Sequence, residues 1–349
     1  MRAWMAGETF AAWRERLVVG VHPSRLFSYH FISRDESMYP EAKTMKEEGK
    51  DVKLFLDSGA FSAMTQGVAI DIQEYIAFIK ANADALEVYA NLDVIGDPEA
   101  TWKNQKVMEK AGLHPLPTFH HGEPVSYLKR YVAEYKYIAL GGLVGKRAQE
   151  LQTSLDYYFR DFICGPDGTP KVKVHGFGMT ALGLMWRYPW YSVDSTAWVM
   201  HSRTGSILVP RPDGKGGYDY RKDPWKISTS TSSPSAHTDD FHLDNMSPMV
   251  KSVVLAYLKK HKVPLGESEL RMVDAGHKLD KEAGEAWHGK RLPNGQRELQ
   301  ARSVEGVRNH YKWRDYVNVI YYRDLEAAFP KWPRKFVAEG MVESGGFGL

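Results

Sequence analysis

At 349 residues and 43% hydrophobic composition, the chain can bury a large core, which excludes an extended disordered protein and fits one large α/β domain with an appended region. The single cysteine, Cys164, excludes a disulfide framework and any cysteine-based zinc or iron–sulfur site, each of which needs several thiolates, and it suits a reducing cytoplasm. The net charge of +3 is unevenly spread: residues 1–200 carry 22 Lys and Arg against 24 Asp and Glu, and residues 201–349 carry 24 against 19, which fits either a polyanion contact in the later part or a solvated surface.

The N-terminal stretch Met1 to Val18 breaks its apolar residues with Arg2, Glu8, Arg14 and Arg16. No apolar run approaches the roughly 20 residues needed to cross a bilayer, so neither a membrane span nor a secretory leader is expected. From residue 25 to 195 short apolar runs alternate with longer stretches of helical period, the pattern of β/α units around a parallel sheet. Seven strands are predicted, at 26–32, 52–56, 86–92, 115–119, 137–140, 172–175 and 191–193. Helices are predicted between them, among them 72–83, 99–111, 125–135 and 148–162. Asp97-Pro98 supplies the second of these with an N-cap and a proline at its first position. So many units exceed what an open doubly wound sheet needs, so the expected fold class is an α/β (β/α)8 TIM-type barrel over residues 1–240, with its eighth strand supplied from later in the chain.

Beyond Asp194 the character changes. Residues 206–210 read as a strand, 213–217 (DGKGG) as a turn and 228–235 (STSTSSPS) as a low-complexity, mobile loop. Ser247-Pro248 caps a helix to about His261, and a long helical or mixed segment covers 304–329, ended by Pro330. Residues 241–349 are thus read as a mostly helical C-terminal extension that completes the barrel.

In a β/α barrel, polar residues just after an apolar run face the catalytic end. Here they are Asp57 in LDSGAFSA, Asp93 in YANLDVIGDP, His120 and His121 in TFHHGEP, Gly141 and Gly142 in ALGGLVG, His175 in VHGFGMT and Asp194 in SVDSTAW. A lone Asp after a strand is commonly a helix cap. Three at corresponding strand ends, flanked by glycines that admit a flat ligand, point to chemistry at a sugar–base bond, where one carboxylate attacks the anomeric carbon and a second group moves the proton. Residues 141–146 (GGLVGK) fall one residue short of a phosphate loop and continue with Arg147 instead of Ser or Thr, and Gly176-Phe177-Gly178 lacks the third glycine of a dinucleotide fingerprint at the required distance. His30, His120, His121, His175 and Asp93 are donor types that zinc takes, so a metal-dependent barrel hydrolase is the alternative from another class, though no tight His pair accompanies them. A catalytically idle nucleic-acid-binding protein is a third reading.

These motifs, in this order, resemble the tRNA-guanine transglycosylases over about residues 50–210. DSGAF at 57–61 is similar to that family's DSGG-aromatic motif, which implies proton transfer by Asp57 and stacking by Phe61. LDVIGDP around Asp93 resembles the segment whose Asp reads the guanine edge, and Gly141, Gly142 and Leu143 resemble the GGL loop whose backbone contacts the base. HGFGMT is similar to MGVGTP, putting His175 and Gly176 against the base, and His121 stands where the family's base-reading Gln would be. Asp194 with the following SRTGSI resembles the nucleophile and its downstream Arg, here Arg203. The same motif positions put Trp186, Trp190 and Trp198 beside Phe61 near the site.

Family members acting on tRNA carry a zinc site of three Cys and one His, which a chain with Cys164 alone does not have. The chain therefore looks most like the phage-associated branch, often called DpdA, linked to inserting 7-deazaguanines into DNA. The resemblance implies a DNA-guanine transglycosylase with a covalent Asp194 intermediate, exchanging guanine for a 7-deazaguanine base such as preQ0 or preQ1, with tRNA as the alternative polymer. It implies no metal and no organic cofactor, no membrane partner, and a cytoplasmic location, that of the host if the protein is phage-encoded. The later, basic part of the chain supplies the expected phosphate contacts, with Lys259, Lys260, Lys262, Arg291 and Arg308 as candidates.

Overall fold

The computed structural model describes residues 1–7, 20–32, 44–232, 241–274 and 276–338. In it the chain divides into two compact units, Met1–Thr196 together with the segment from Leu325 onward, and Ala197–Asp324. The first boundary thus falls well before residue 240, where the sequence reading divides the chain.

The first unit is built on a curled sheet of eight parallel strands in the order β4-β3-β2-β1-β8-β7-β6-β5. These are β1 Arg2–Ala6, β2 Ser24–Ser28, β3 Lys53–Asp57, β4 Leu86–Tyr89, β5 Thr118–His120, β6 Tyr137–Gly141, β7 Lys173–Gly176 and β8 Ser192–Ser195. The seven predicted strands are present within a few residues, except that the first ends at Ser28 and the chain turns helical over Tyr29–Ile32. The eighth strand corrects the sequence reading: it is β1, at the start of the chain, lying between β2 and β8 with Trp4 opposite Asp194. Its backbone is tied to the C-terminal segment, where the Glu326 carboxylate accepts the Ala3 N–H at 2.8 Å and lies 3.1 Å from His22 Nε2. The end strands β4 and β5 meet just beyond their named limits, through a parallel bridge between Ala90 and Leu116. There Asn91 N–H donates to the Leu116 carbonyl at 3.0 Å, and Leu116 N–H to that of Tyr89 at 2.8 Å.

Both faces of the sheet are buried, which is why its strands read as continuous apolar runs. On β3, Phe55 packs inward with Trp4, Leu26, Ala90, Leu116 and Ala139. Its neighbours Leu54 and Leu56 pack outward against Tyr75, Ile76, Ile79 and Met108. The outer helices begin where local chemistry dictates. Asp71 caps Ile72–Ala81 by accepting the N–H groups of Gln73 and Glu74, and Asp97 with Pro98 starts Pro98–Lys110 as expected. Val125–Glu134 follows β5, and Ala148–Tyr158 follows β6 and widens into a π-helical turn, Phe159–Ile163.

The second unit holds the antiparallel pair of β9 Ser206–Val209 with β12 Trp225–Ser228, and the short hairpin of β10 Arg211–Pro212 with β11 Tyr218–Asp219 around the predicted DGKGG turn. The helix capped by Ser247 runs Pro248–Lys260, and the later helix runs Tyr311–Ala328. Between them the mostly helical expectation is corrected by a three-stranded antiparallel sheet of β13 Glu267–Val273, β15 Arg297–Val304 and β14 Ala286–His288. Asn318 holds this unit's core together, its amide accepting the Leu208 N–H at 2.7 Å and donating to the Trp198 carbonyl at 2.8 Å. Of the predicted mobile loop at 228–235, residues 233–235 lie outside the described residues. No helix among the described residues is long and apolar enough to cross a membrane.

Candidate active site

Three strand ends of the first unit bring Asp57, Asp93 and Asp194 together. Asp57 is the last residue of β3, Asp93 follows β4, and Asp194 lies in β8. The Asp57 carboxyl is pushed up to about 8, chiefly by burial and then by the nearby charges of Asp93 and Asp194. Hydrogen bonds from the backbone N–H groups of Gly59 (3.1 Å to Oδ2) and Ser58 oppose that rise without cancelling it. At neutral pH Asp57 is therefore mostly a protonated acid beside two other carboxyl groups. The DSG turn is compact by necessity: Gly59 has φ 78°, and a Cβ there would collide with Ser28 Oγ.

Asp93 is held from two sides. Ser58 Oγ donates to its Oδ1 at 2.8 Å, and His120 Nε2 lies 2.8 Å from its Oδ2. The other ring nitrogen of His120, Nδ1, lies 3.0 Å from Glu123 Oε1, while the His120 backbone N–H donates to Glu123 Oε2, also at 3.0 Å. Burial would lower the His120 pKa, but the hydrogen bonds and charges of Asp93 and Glu123 outweigh it and raise it to about 9. A row of Glu123, imidazolium and Asp93 results, with all three side chains nearly buried. Sequence reading offered His120 only as a donor in the alternative metal site and passed over Glu123 and Ser58. The available signal was a Glu three residues after a strand-end His.

Asp194 is oriented by the Gly178 N–H, which donates to Oδ1 at 2.7 Å, and His175 Nε2 lies 3.4 Å from the same oxygen. His175 is fully buried, with Nδ1 2.7 Å from Ser192 Oγ and its ring against Phe55 and Phe177 at 4.8 and 4.5 Å between centroids. Burial lowers its pKa, only partly offset by Asp194, so it is a neutral imidazole. His175 is thus buried beside the nucleophile candidate, in the interior of the sheet.

The remaining predicted residues divide. Phe61 stands 63% exposed on the helical turn Ala60–Thr65, at the same end of the sheet as Asp57. Gly141 lies flat against His120, since a Cβ there would come 2.8 Å from the ring Cδ2. Gly142 has φ 70°, the Gly141 carbonyl accepts the His121 N–H at 2.9 Å, and Leu143 is buried beyond them. His121 has its pKa lowered by burial and by Lys146. A Cβ at Gly176 would meet the Trp190 ring. Trp190 and Trp198 are buried, and Trp186 stacks on Phe329 with 4.0 Å between centroids. Among the described residues, no group of three or more His, Cys, Asp or Glu is arranged to hold a metal ion.

The phosphate candidates all lie in the second unit. Lys259 and Lys260 form the last turn of Pro248–Lys260, and Lys262 follows in the left-handed conformation at φ 56°. Lys260 lies over the Tyr218 ring, and Arg203 ends the helix Ala197–Arg203. Arg291 donates to the Gly295 carbonyl, while Arg308 is ion-paired with Asp244. The chain matches no protein-family model and no curated protein.

Proposed function

We propose that the protein is a base-exchanging transglycosylase that replaces guanine in DNA with a 7-deazaguanine, built on a closed (β/α)8 barrel, with tRNA as the alternative polymer. The observation that carries this reading is the unequal state of the three converging carboxyl groups, with Asp57 a proton carrier near neutral pH and Asp194 fixed by Gly178 and His175. Asp194 attacks C1′ of the unstacked nucleotide, the glycosidic bond breaks, and Asp57 gives its proton to the departing base. The incoming 7-deazaguanine then attacks C1′ and Asp194 leaves, while the Asp57 carboxylate takes the proton from the new ring nitrogen. Asp93, Phe61 and the Gly141–Leu143 backbone hold the base, and the basic residues of the second unit hold phosphates. The reaction uses the same bond twice and needs no redox partner.

The test is release of labelled guanine from DNA and from tRNA, side by side, with the native protein and with Asp194→Asn. Release from DNA that vanishes in Asp194→Asn supports the proposal. Faster release from tRNA would reassign the polymer, and no release from either would overturn the activity.

A further inference from the structure

Glu123 is nearly buried, and both of its oxygens are committed to His120. That geometry favours the imidazolium, in line with the rise of the His120 pKa to about 9. Nδ1 and Nε2 each face a carboxylate oxygen at 3.0 and 2.8 Å, and a neutral imidazole has only one N–H, which would leave one carboxylate against a ring lone pair. Of the other titratable groups nearby, Asp57 keeps its own proton near neutrality, its carboxyl raised to about 8, and Tyr131 and Tyr158, which border Glu123, have their pKa values raised by burial and so remain neutral phenols. The Cδ2 edge of the ring lies over Gly141, where only a residue without a Cβ fits beside it.

The consequence reaches Asp93. Each of its oxygens receives one internal donor, Ser58 Oγ–H on Oδ1 and the His120 imidazolium on Oδ2, which leaves each oxygen with further lone-pair capacity. Ser58 is itself fixed, buried and accepting the Ala60 N–H at 3.2 Å. We infer that His120 and Glu123 are positioning residues that set base specificity: they hold Asp93 with both oxygens turned to accept, so that the site takes planar bases presenting a pair of N–H donors, such as guanine, and rejects bases presenting a ring-nitrogen acceptor there, such as adenine. This rests on the transglycosylase reading for the identity of the ligand, but not for the existence of the clamp. An acceptor-only pair discriminates strongly because an adenine-type nitrogen would face a carboxylate with no proton between them.

The test has two arms, both on the full chain. In the first, histidine ring resonances are followed with pH in the native protein, Glu123→Gln and Asp93→Asn. Glu123→Gln keeps an oxygen for the His120 N–H and so preserves the turn while removing the charge. Each variant should lower the His120 midpoint by about one pH unit or more; a midpoint unchanged in Glu123→Gln would overturn the clamp. In the second arm, guanine and adenine binding are measured by calorimetry at neutral pH. The native protein should prefer guanine, and Glu123→Gln should lose roughly tenfold or more of that preference through weaker guanine binding. An unchanged preference overturns the specificity role even with the clamp intact. A native protein that binds neither base overturns the transglycosylase reading and the specificity role together, while the histidine titration still decides the clamp.

Discussion

Asp57→Asn separates the electrostatic character of the site from its chemistry. The folded protein raises this carboxyl from its ordinary 3.8 to about 8, through burial first and the charges of Asp93 and Asp194 next. A raised acid favours the folded state while it carries its proton, so its contribution is complete below about pH 3.8 and is lost as pH climbs to about 8. Within that window each pH unit removes about 1.4 kcal/mol, giving at most ~6 kcal/mol over the whole range, and water reaching the partly exposed carboxyl reduces this. Asparagine copies the neutral carboxyl in shape and still accepts the Gly59 N–H, yet it has no charge to bury. The offset between the variant and the native protein should therefore be constant below about pH 3.8, where both carry no charge at this position. The variant should then gain on the native protein by about 1.4 kcal/mol per unit until the native curve flattens near pH 8. Urea denaturation of both across that range, taken as a difference so that other titrating groups cancel, reads the effect directly. A difference that stays constant from pH 5 to 9 would refute the assignment of Asp57 as a proton carrier near neutrality.

Asp194→Asn should leave the fold intact and reduce guanine release by roughly three orders of magnitude or more, with loss of any covalent protein–DNA adduct seen by denaturing gel. His175, kept neutral by burial below its ordinary 6.5, stabilises the fold above about that pH and ceases to do so as pH falls, so acid unfolding should be shallower in His175→Gln. Gly141→Ala should cost about 1 to 3 kcal/mol in thermal denaturation, because the new methyl meets the His120 ring at 2.8 Å and that ring is held on both sides. Arg308→Ala should change stability by less than about 1 kcal/mol, since its pair with Asp244 is solvent-exposed, and should lower the log–log salt slope of DNA binding by about 0.9 if it neutralises one phosphate.

The parallel sheet was legible because both of its faces are buried, so that runs such as KLFLD stand out, and because Asp97-Pro98 and Ser247-Pro248 announce helix starts within two residues. β1 escaped notice because RAWMA stands at the start of the chain, apart from the β/α alternation that begins at residue 25. The sheet of the second unit was hidden for the opposite reason. RELQARSV places polar or charged residues on both faces, and ESELRMV alternates only over a few residues, with Leu270 and Met272 left exposed, so the period of two is weak. Asp57, Asp93 and Asp194 were recognisable as strand-end carboxylates, whereas His175 was not separable from them. It and Asp194 both point inward, and only the depth at which neighbouring strands are staggered puts one beneath the other. Glu123 acts through a reversal of the chain after β5, a relation that strand and helix periods do not encode.

The hydrogen bond between His120 and Asp93 has a mechanical meaning besides its electrostatic one. It joins a residue of β5 to the segment leaving β4, the two end strands of the sheet, a short way above the bridge from Ala90 to Leu116. Opening that edge and unlatching Asp93 are thus one movement. A bound base that tightened the latch would slow amide exchange at Asn91 and Leu116, and a strain that parted the strands would release Asp93 from its imidazolium before it disturbed Asp194 on the far side of the sheet.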